Sequence, residues 1–515
     1  MASVFSSNYT AAFIQAFPGD ASGNLLPRQT PGLLWSATSL TPVADPTLLA
    51  WSENLARTLG IDQPQTLDEI AVLAGNGLAP GMQPYASCYG GHQFGHWAGQ
   101  LGDGRAITLG EWTRPDGFPE ELQLKGAGPT AYSRRGDGRA VLRSSVREYL
   151  MSEAMYHLGI PTTRALSLVQ TGDDVVRDLL YDGHPRPEPG AIVLRTAPSL
   201  IRFGHFELLY VRKEFELLRQ LTDWVIQRYF PHLIGADPVV AFYEELVKRT
   251  ARLMVDWQRV GFVHGVMNTD NMSILGLTID YGPYGMLDAY DEAFTPNTTD
   301  LPGRRYAFGN QPQIAKWNLA NLAGSLVPVV KEPQRLAQAL ESYDLHFQSG
   351  QKAMLRAKLG LSGNEPLSNE LLTELPQLLQ TVQPDYTLFF QLLETLPMTG
   401  SVDATLHFEP ALYGELSEPG TRQLQRFVEQ YQQCIRSSDS SERTARMQQT
   451  NPRFILRNYQ LHEAIEALEA GDDTLFRKLE AASQQPYTLL FPELNHQQPQ
   501  WAQTKPGCGM LSCSS

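Results

Sequence analysis

Cysteine is scarce: the 515-residue chain has four, Cys88, Cys434, Cys508 and Cys513. A set so small and scattered excludes a disulfide framework and a structural zinc centre, both of which need clustered sulfur. No run of about 18 uncharged apolar residues occurs, so there is no candidate membrane span and no membrane partner is expected. Basic residues are in deficit, 41 Lys and Arg against 55 Asp and Glu, for a formal charge of −14. A general nucleic-acid binder needs a basic surface to neutralise phosphates, so that class is set aside, although one small basic pocket is not. Internal repeats and low-complexity tracts are absent. The opening residues, MASVFSSNYTAAFIQAFPGD, have neither the basic start of a secretory signal nor the arginine enrichment of a transit peptide. A soluble, cytoplasmic protein is therefore expected. What is present, 42% hydrophobic residues with ordinary Gly, Pro and charge, describes a folded chain. Its length suits roughly two to four domains or lobes.

Glycine, by contrast, is concentrated. The stretch YGGHQFGHWAGQLGDGRA holds six glycines from Gly90 to Gly104, which defeats a regular helix and suits turns or close approach of backbone to a ligand. Before it, Pro46 to Leu59 reads as helix-like. After it come strand-like AITLGEW and ELQLKGAG, then a helix over LRSSVREYLMSEAMYHLG that ends at Gly159 and Pro161. ALSLVQT and AIVLRTAPSLIRFGHFE read as further strands and turns. Beyond about Glu207 apolar residues recur at three and four spacing, as in PVVAFYEELVKRTARLMVDWQRVGF, and the chain becomes helical. The layout is α+β, a protein-kinase-like two-lobe fold. Residues 1–205 are expected to form an N-terminal extension and a strand-rich N-lobe with a Gly-rich loop. Residues 206–485 would form the larger helical C-lobe, and 486–515 a flexible C-terminal tail with Cys508 and Cys513.

The stretch from 264 to 282, HGVMNTDNMSILGLTIDYG, overlays the kinase catalytic loop HRDLxxxN and a following DFG-like DYG. Asn271 and Asp280 are oxygen ligands of the kind Mg²⁺ takes, in the order kinases use. Either alone would read as a polar turn; in this order after a helix they point to a metal. The kinase's proton-accepting Asp is missing, and Val266 stands in its place. Lys125 ends a strand after the Gly-rich turn, and Glu148 lies on the next helix, as in the kinase Lys–Glu pair. A lysine at a strand end is usually only solvated, so this pair supports the reading without deciding it. The two GDGR tetrapeptides, 102–105 and 136–139, are weak signals that ordinary turns would also produce. Arg195 and Arg202 lie in a largely apolar stretch, where a buried guanidinium needs an anionic partner, either a carboxylate or a phosphate.

Together YGGHQFGHWAGQLGDGRA, LKGAGPTAYSRRGDGRAVLRSSVREYL, LGIPTTRALSLV, RTAPSLIRFGHFE, HGVMNTDNMSILGLTIDYGPYGMLD and NPRFILRN resemble the selenoprotein O family over nearly the whole chain. Members of that family are protein adenylyltransferases with a pseudokinase fold. The resemblance implies ATP bound inverted relative to kinases, AMP passed to a Ser, Thr or Tyr hydroxyl of a protein substrate, and pyrophosphate released; UMP from UTP is a further option. It implies that Gly102, Gly104, Arg105, Lys125, Asp137, Gly138, Arg195 and Arg202 bind the nucleotide. It further implies that Glu148 orders Lys125, that Asn271 and Asp280 hold Mg²⁺ or Mn²⁺, and that Asp270 accepts the proton. The tail CGMLSCSS places Cys513 where family members carry selenocysteine or cysteine, and a redox-active Cys513 with Cys508 as resolving partner is expected. Two alternatives remain. Val266 speaks against a kinase acting on a protein or small molecule; the retention of Lys125, Asn271 and Asp280 speaks against a non-catalytic, nucleotide-binding scaffold.

Overall fold

The computed structural model describes residues 2–6, 8–178, 183–233, 235, 237–362, 366–436, 438–503, 505 and 507–512. Its N-terminal part is built on a nine-stranded sheet. The strand order is Gly19–Asp20, Trp35–Ala37, Tyr85–Ser87, Ala106–Thr113, Pro119–Lys125, Arg186–Ala197, Arg164–Arg177 and Thr47–Trp51, with Tyr9–Thr10 also pairing to Ala106–Thr113. Register explains how this sheet makes a site. Val193 pairs with Lys125 and Arg195 with Gln123, and side chains two apart share a face, so Gln123, Lys125 and Arg195 project together. The alternate residues Leu122, Leu124, Ile192 and Leu194 enter an apolar core on the other face with Ile107 and Leu109. The helix Leu142–His157 lies across the polar-bearing face, buries Leu142, Val146 and Leu150 in a larger core, and thereby carries Glu148 to Lys125.

Helices dominate from Phe203 onward. The helix Pro238–Val260 begins where the Asp237 side chain accepts from Val240 N and Pro238 occupies the first turn, and it ends at Gly261 with φ 79°. Phe262–Val263 then pairs with Gly285–Met286. This short ladder ties together the two ends of the segment carrying Asp270, Asn271 and Asp280. A separate apolar core joins the helices Pro366–Val382, Tyr386–Glu394 and Glu418–Ile435. Among the described residues no helix is long and apolar enough to cross a membrane.

Three expectations are corrected. Thr47–Trp51 is an edge strand paired with Arg164–Arg177, and helix runs only over Glu53–Leu59, where the Ser52 side chain caps Leu55 N. The end of AIVLRTAPSLIRFGHFE is the helix Phe203–Val211, not strand or turn. The tail, expected to be flexible, is docked at its described residues up to Ser512. Leu511 is fully buried, its carbonyl accepts from Thr298 N at 2.7 Å, and its N–H donates to Pro296 O at 3.0 Å. Cys508 is buried with Tyr459 and Ala502, and burial pushes its thiol up to about 12, which makes it a poor nucleophile. The apolar residues of the tail have a surface to bury against, and that outweighs the freedom of a chain end. Cys513 lies outside the described residues.

Candidate active site

Asp280 is the hub. It adopts φ 58° without being glycine, a conformation that costs energy and persists where the surroundings over-determine it. Its Oδ1 accepts from Arg195 Nη1 at 2.5 Å and lies 3.9 Å from Lys125 Nζ, while Oδ2 accepts from Arg202 Nη1. Glu148 closes the network with Oε2 at 2.5 Å from Lys125 Nζ and Oε1 at 3.1 Å from Arg195 Nη1. Arg195 Nε donates to Gln123 Oε1 at 2.7 Å, as the strand register requires. Arg202 Nη1 also donates to the Asp270 carbonyl at 2.8 Å, its Nη2 stands 3.8 Å from Asp103 Oδ1, and its guanidinium lies 4.8 Å from the Tyr89 ring centre.

Burial alone would raise the Asp280 carboxyl; Arg202, Arg195 and Lys125 overcome it and hold the group well below the ordinary carboxylate range. Burial lowers Lys125, with Glu148 opposing. Three buried cations thus share Asp280, Glu148 and Asp103. Such a cluster can exchange carboxylate for phosphate partners without leaving any cation unpaired.

Asp270, Asn271 and the preceding Thr269 form one short 3-10 turn. Asp270 is 8% exposed; Oδ2 accepts from Gln93 Nε2 at 3.2 Å, and the buried Oδ1 has no hydrogen-bond partner among the described residues. Burial pushes this carboxyl up to about 7. Asn271 donates through Nδ2 to Val266 O at 2.8 Å, which commits the nitrogen and turns the amide oxygen to other use. With Asp280 it offers two protein oxygens. No larger His, Cys, Asp and Glu cluster occurs among the described residues. Two protein oxygens fit Mg²⁺ or Mn²⁺, which complete their shell with phosphates and water, but Asp280 must first be released by its arginines.

A cavity of about 980 Å³ connects these groups, and every nucleotide or metal residue expected from the sequence lines it except Glu148, which stands behind Lys125. At the rim, Asp137 is bound in bidentate fashion by Arg177, both contacts at 2.8 Å, so its carboxylate is already engaged. Gly138, at φ 70°, allows two loops to meet, since a Cβ there would stand 2.1 Å from Gly128 O. Sequence reasoning missed Gln93, Tyr89, Asp103 and Gln123. Asp103 lay inside the weak GDGR signal; the others carry no spacing that marks them.

A kinase-like fold that keeps the Lys125–Glu148 pair and the Asn271–Asp280 order, has Val266 at the kinase base position and adds Arg195 and Arg202 on Asp280 defines a nucleotide-dependent transferase distinct from ordinary kinases. The particular family follows from comparison. The model of the family described as protein adenylyltransferase SelO matches residues 32–484, and the chain belongs to that family. It is 53% identical over 510 residues to "Protein nucleotidyltransferase YdiU" of Cytophaga hutchinsonii, spanning 98% of each chain. It is 51% identical over 512 residues to the protein of the same name from Tolumonas auensis, again over 98% of each. The enzyme is a nucleotidyltransferase.

Proposed function

We propose that the enzyme transfers AMP from ATP to a Ser, Thr or Tyr hydroxyl of a protein, releasing pyrophosphate. The observation that carries this reading is the placement of Asp270. Its carboxylate borders the cavity one residue before Asn271, and its carbonyl is bound by Arg202 of the cation cluster. In this reading residues 1–205 supply the phosphate-binding wall and residues 206–485 the loop with the proton acceptor and metal ligands. Lys125, Arg195 and Arg202 take the β and γ phosphates of an inverted ATP, Glu148 keeps Lys125 in place, and Gly102, Gly104, Arg105, Asp137 and Gly138 line the rest of the nucleotide's bed. Asn271 and Asp280 hold Mg²⁺ or Mn²⁺, which when bound neutralises phosphate charge. The acceptor oxygen forms a bond to the α phosphorus, its proton passes to Asp270, and the bond from the α phosphorus to the bridging oxygen breaks. The electron pair leaves with pyrophosphate, whose charge the three cations stabilise.

Incubation with ATP labelled at either the α or the γ phosphorus tests this. Label from the α position on protein, with unlabelled acceptor in the γ arm, is expected. Transfer of γ label would instead show a kinase, and no transfer a binding scaffold. Nothing in the cation cluster reads the base, so UTP labelled at the α phosphorus is run as a further arm.

A further inference from the structure

We propose that Gln93 is a positioning residue for the Asp270 carboxylate, and that the hairpin carrying it sets the orientation of the proton acceptor. This rests on the function proposed above. The hairpin consists of Gly90–Gln93 and His96–Gln100 and forms its own two-stranded sheet, outside the main one. Consecutive hairpin residues engage the catalytic turn. Gly91 packs on Asp270, where a Cβ would come within 2.7 Å of Oδ1. His92 N donates to Thr269 Oγ1 at 2.7 Å, while His92 Nδ1 sits 2.8 Å from Glu207 Oε1. The Thr269 hydroxyl donates to the other oxygen of Glu207. Phe94 N donates to Asn268 Oδ1 at 3.2 Å and to Tyr306 Oη at 3.0 Å, and Tyr306 donates to Asn268 Oδ1 at 2.6 Å.

Within this zipper the backbone is over-determined, but the Asp270 carboxylate is not. Among the described residues Gln93 Nε2 is its one side-chain partner at hydrogen-bonding distance, since Oδ1 faces Gly91 with none. Oδ2 has a second lone pair, so it can accept from Gln93 and still receive the acceptor's proton. Without the amide, the carboxylate is free to rotate about its last torsion, which is broad for this side-chain type. Gln93 lines the cavity beside Asp270, and its amide nitrogen is directed to Asp270 Oδ2, not to Lys125, Arg195 or Arg202, so its influence falls on the acceptor side and not on phosphate binding.

Purified full-length Gln93→Met and Gln93→Asn test this with ATP, Mg²⁺ and an acceptor protein. Met keeps the bulk but removes the donor, while Asn keeps the amide but is one methylene short of the 3.2 Å contact. Both are expected to lower kcat by about 10- to 100-fold, with the Kd for a non-hydrolysable ATP analogue within about twofold of wild type and Tm unchanged. Asn activity near wild type would overturn the proposal, because polarity of the wall would then suffice. So would kcat within twofold of wild type for Met, or a fall matched by equal loss of nucleotide affinity or by lowered Tm. An active Asp270→Asn would instead overturn the assignment of Asp270, which separates the two failures.

Discussion

Replacing Gly91 by alanine adds a single methyl group at the back of Asp270. The new Cβ would lie 2.7 Å from Asp270 Oδ1, 2.9 Å from its Cβ and 3.1 Å from its N, where ordinary contact starts at 3.4 Å. Relief of the shortest contact needs the difference between 2.7 and 3.4 Å, a shift of about 0.7 Å. Gly91 is outside the left-handed region, so alanine suffers no torsional penalty there and the effect is purely steric. Overpacking of this kind costs about 1–3 kcal/mol, which a large domain survives with Tm lowered by a few degrees. Chemistry is more sensitive: a displacement on the order of 1 Å at the reacting geometry costs about 100-fold in rate. Gly91→Ala is therefore expected to lower kcat for AMP transfer by roughly 10- to 100-fold. Nucleotide affinity should change less than kcat, because Lys125 and Arg195 stand on other strands and Arg202, which meets Asp270 at its carbonyl, stays anchored to Asp280. Steady-state kinetics with α-labelled ATP, paired with calorimetric titration of a non-hydrolysable analogue, measures both. Wild-type kcat in a folded Gly91→Ala protein would refute the argument that Asp270 must be held where the structure places it.

The arginines on Asp280 compete with a metal ion for the same carboxylate. Mn²⁺ alone should bind weakly by electron paramagnetic resonance, and at least about tenfold more tightly once a non-hydrolysable ATP analogue draws Arg195 and Arg202 to its phosphates; equal affinity in both conditions would contradict the exchange. Glu121 supplies a separate pH test. Burial, with Glu111 adding to it, raises its carboxyl from 4.5 to about 8. The folded state thus holds a proton the unfolded state releases, and the stability it contributes is fully present below about pH 4.5 and lost as pH rises through about 8. The loss is up to roughly 5 kcal/mol. Glu121→Gln should remove that part of the slope and melt higher than wild type at pH 9; parallel melting curves would show that the carboxyl is not buried in this way.

Much of the site was legible because its parts are linear. The strand ending at Lys125, the helix bearing Glu148 and the ordered pair Asn271 and Asp280 each carry a local pattern, and the structure joins Lys125, Glu148 and Asp280 through salt bridges. What was not legible is contact between distant segments. Gln93 and Asp270 are 177 residues apart, and no periodicity links them. The glycine-rich stretch suits turns or close approach of backbone to a ligand, and it divides: Gly102 and Gly104 line the cavity, while Gly91 makes room for Asp270 itself. Over Thr47–Trp51, TLLAW runs into a capped helix as one continuous apolar pattern, and only pairing with Arg164–Arg177 decides for strand. The tail misled for the reverse reason. Its composition resembles a free end, but Leu511 finds a buried place against Pro296 and Thr298.

The central claim is that the group transferred is the adenylate and that Asp270 takes the acceptor's proton. The mass of an acceptor protein after incubation with the enzyme, ATP and Mg²⁺ tests it most directly. An increase of one adenylate, abolished when Asp270→Asn replaces the wild-type enzyme, is the predicted result. An increase of one phosphate, or an adenylate gained at the wild-type rate with Asp270→Asn, would contradict it.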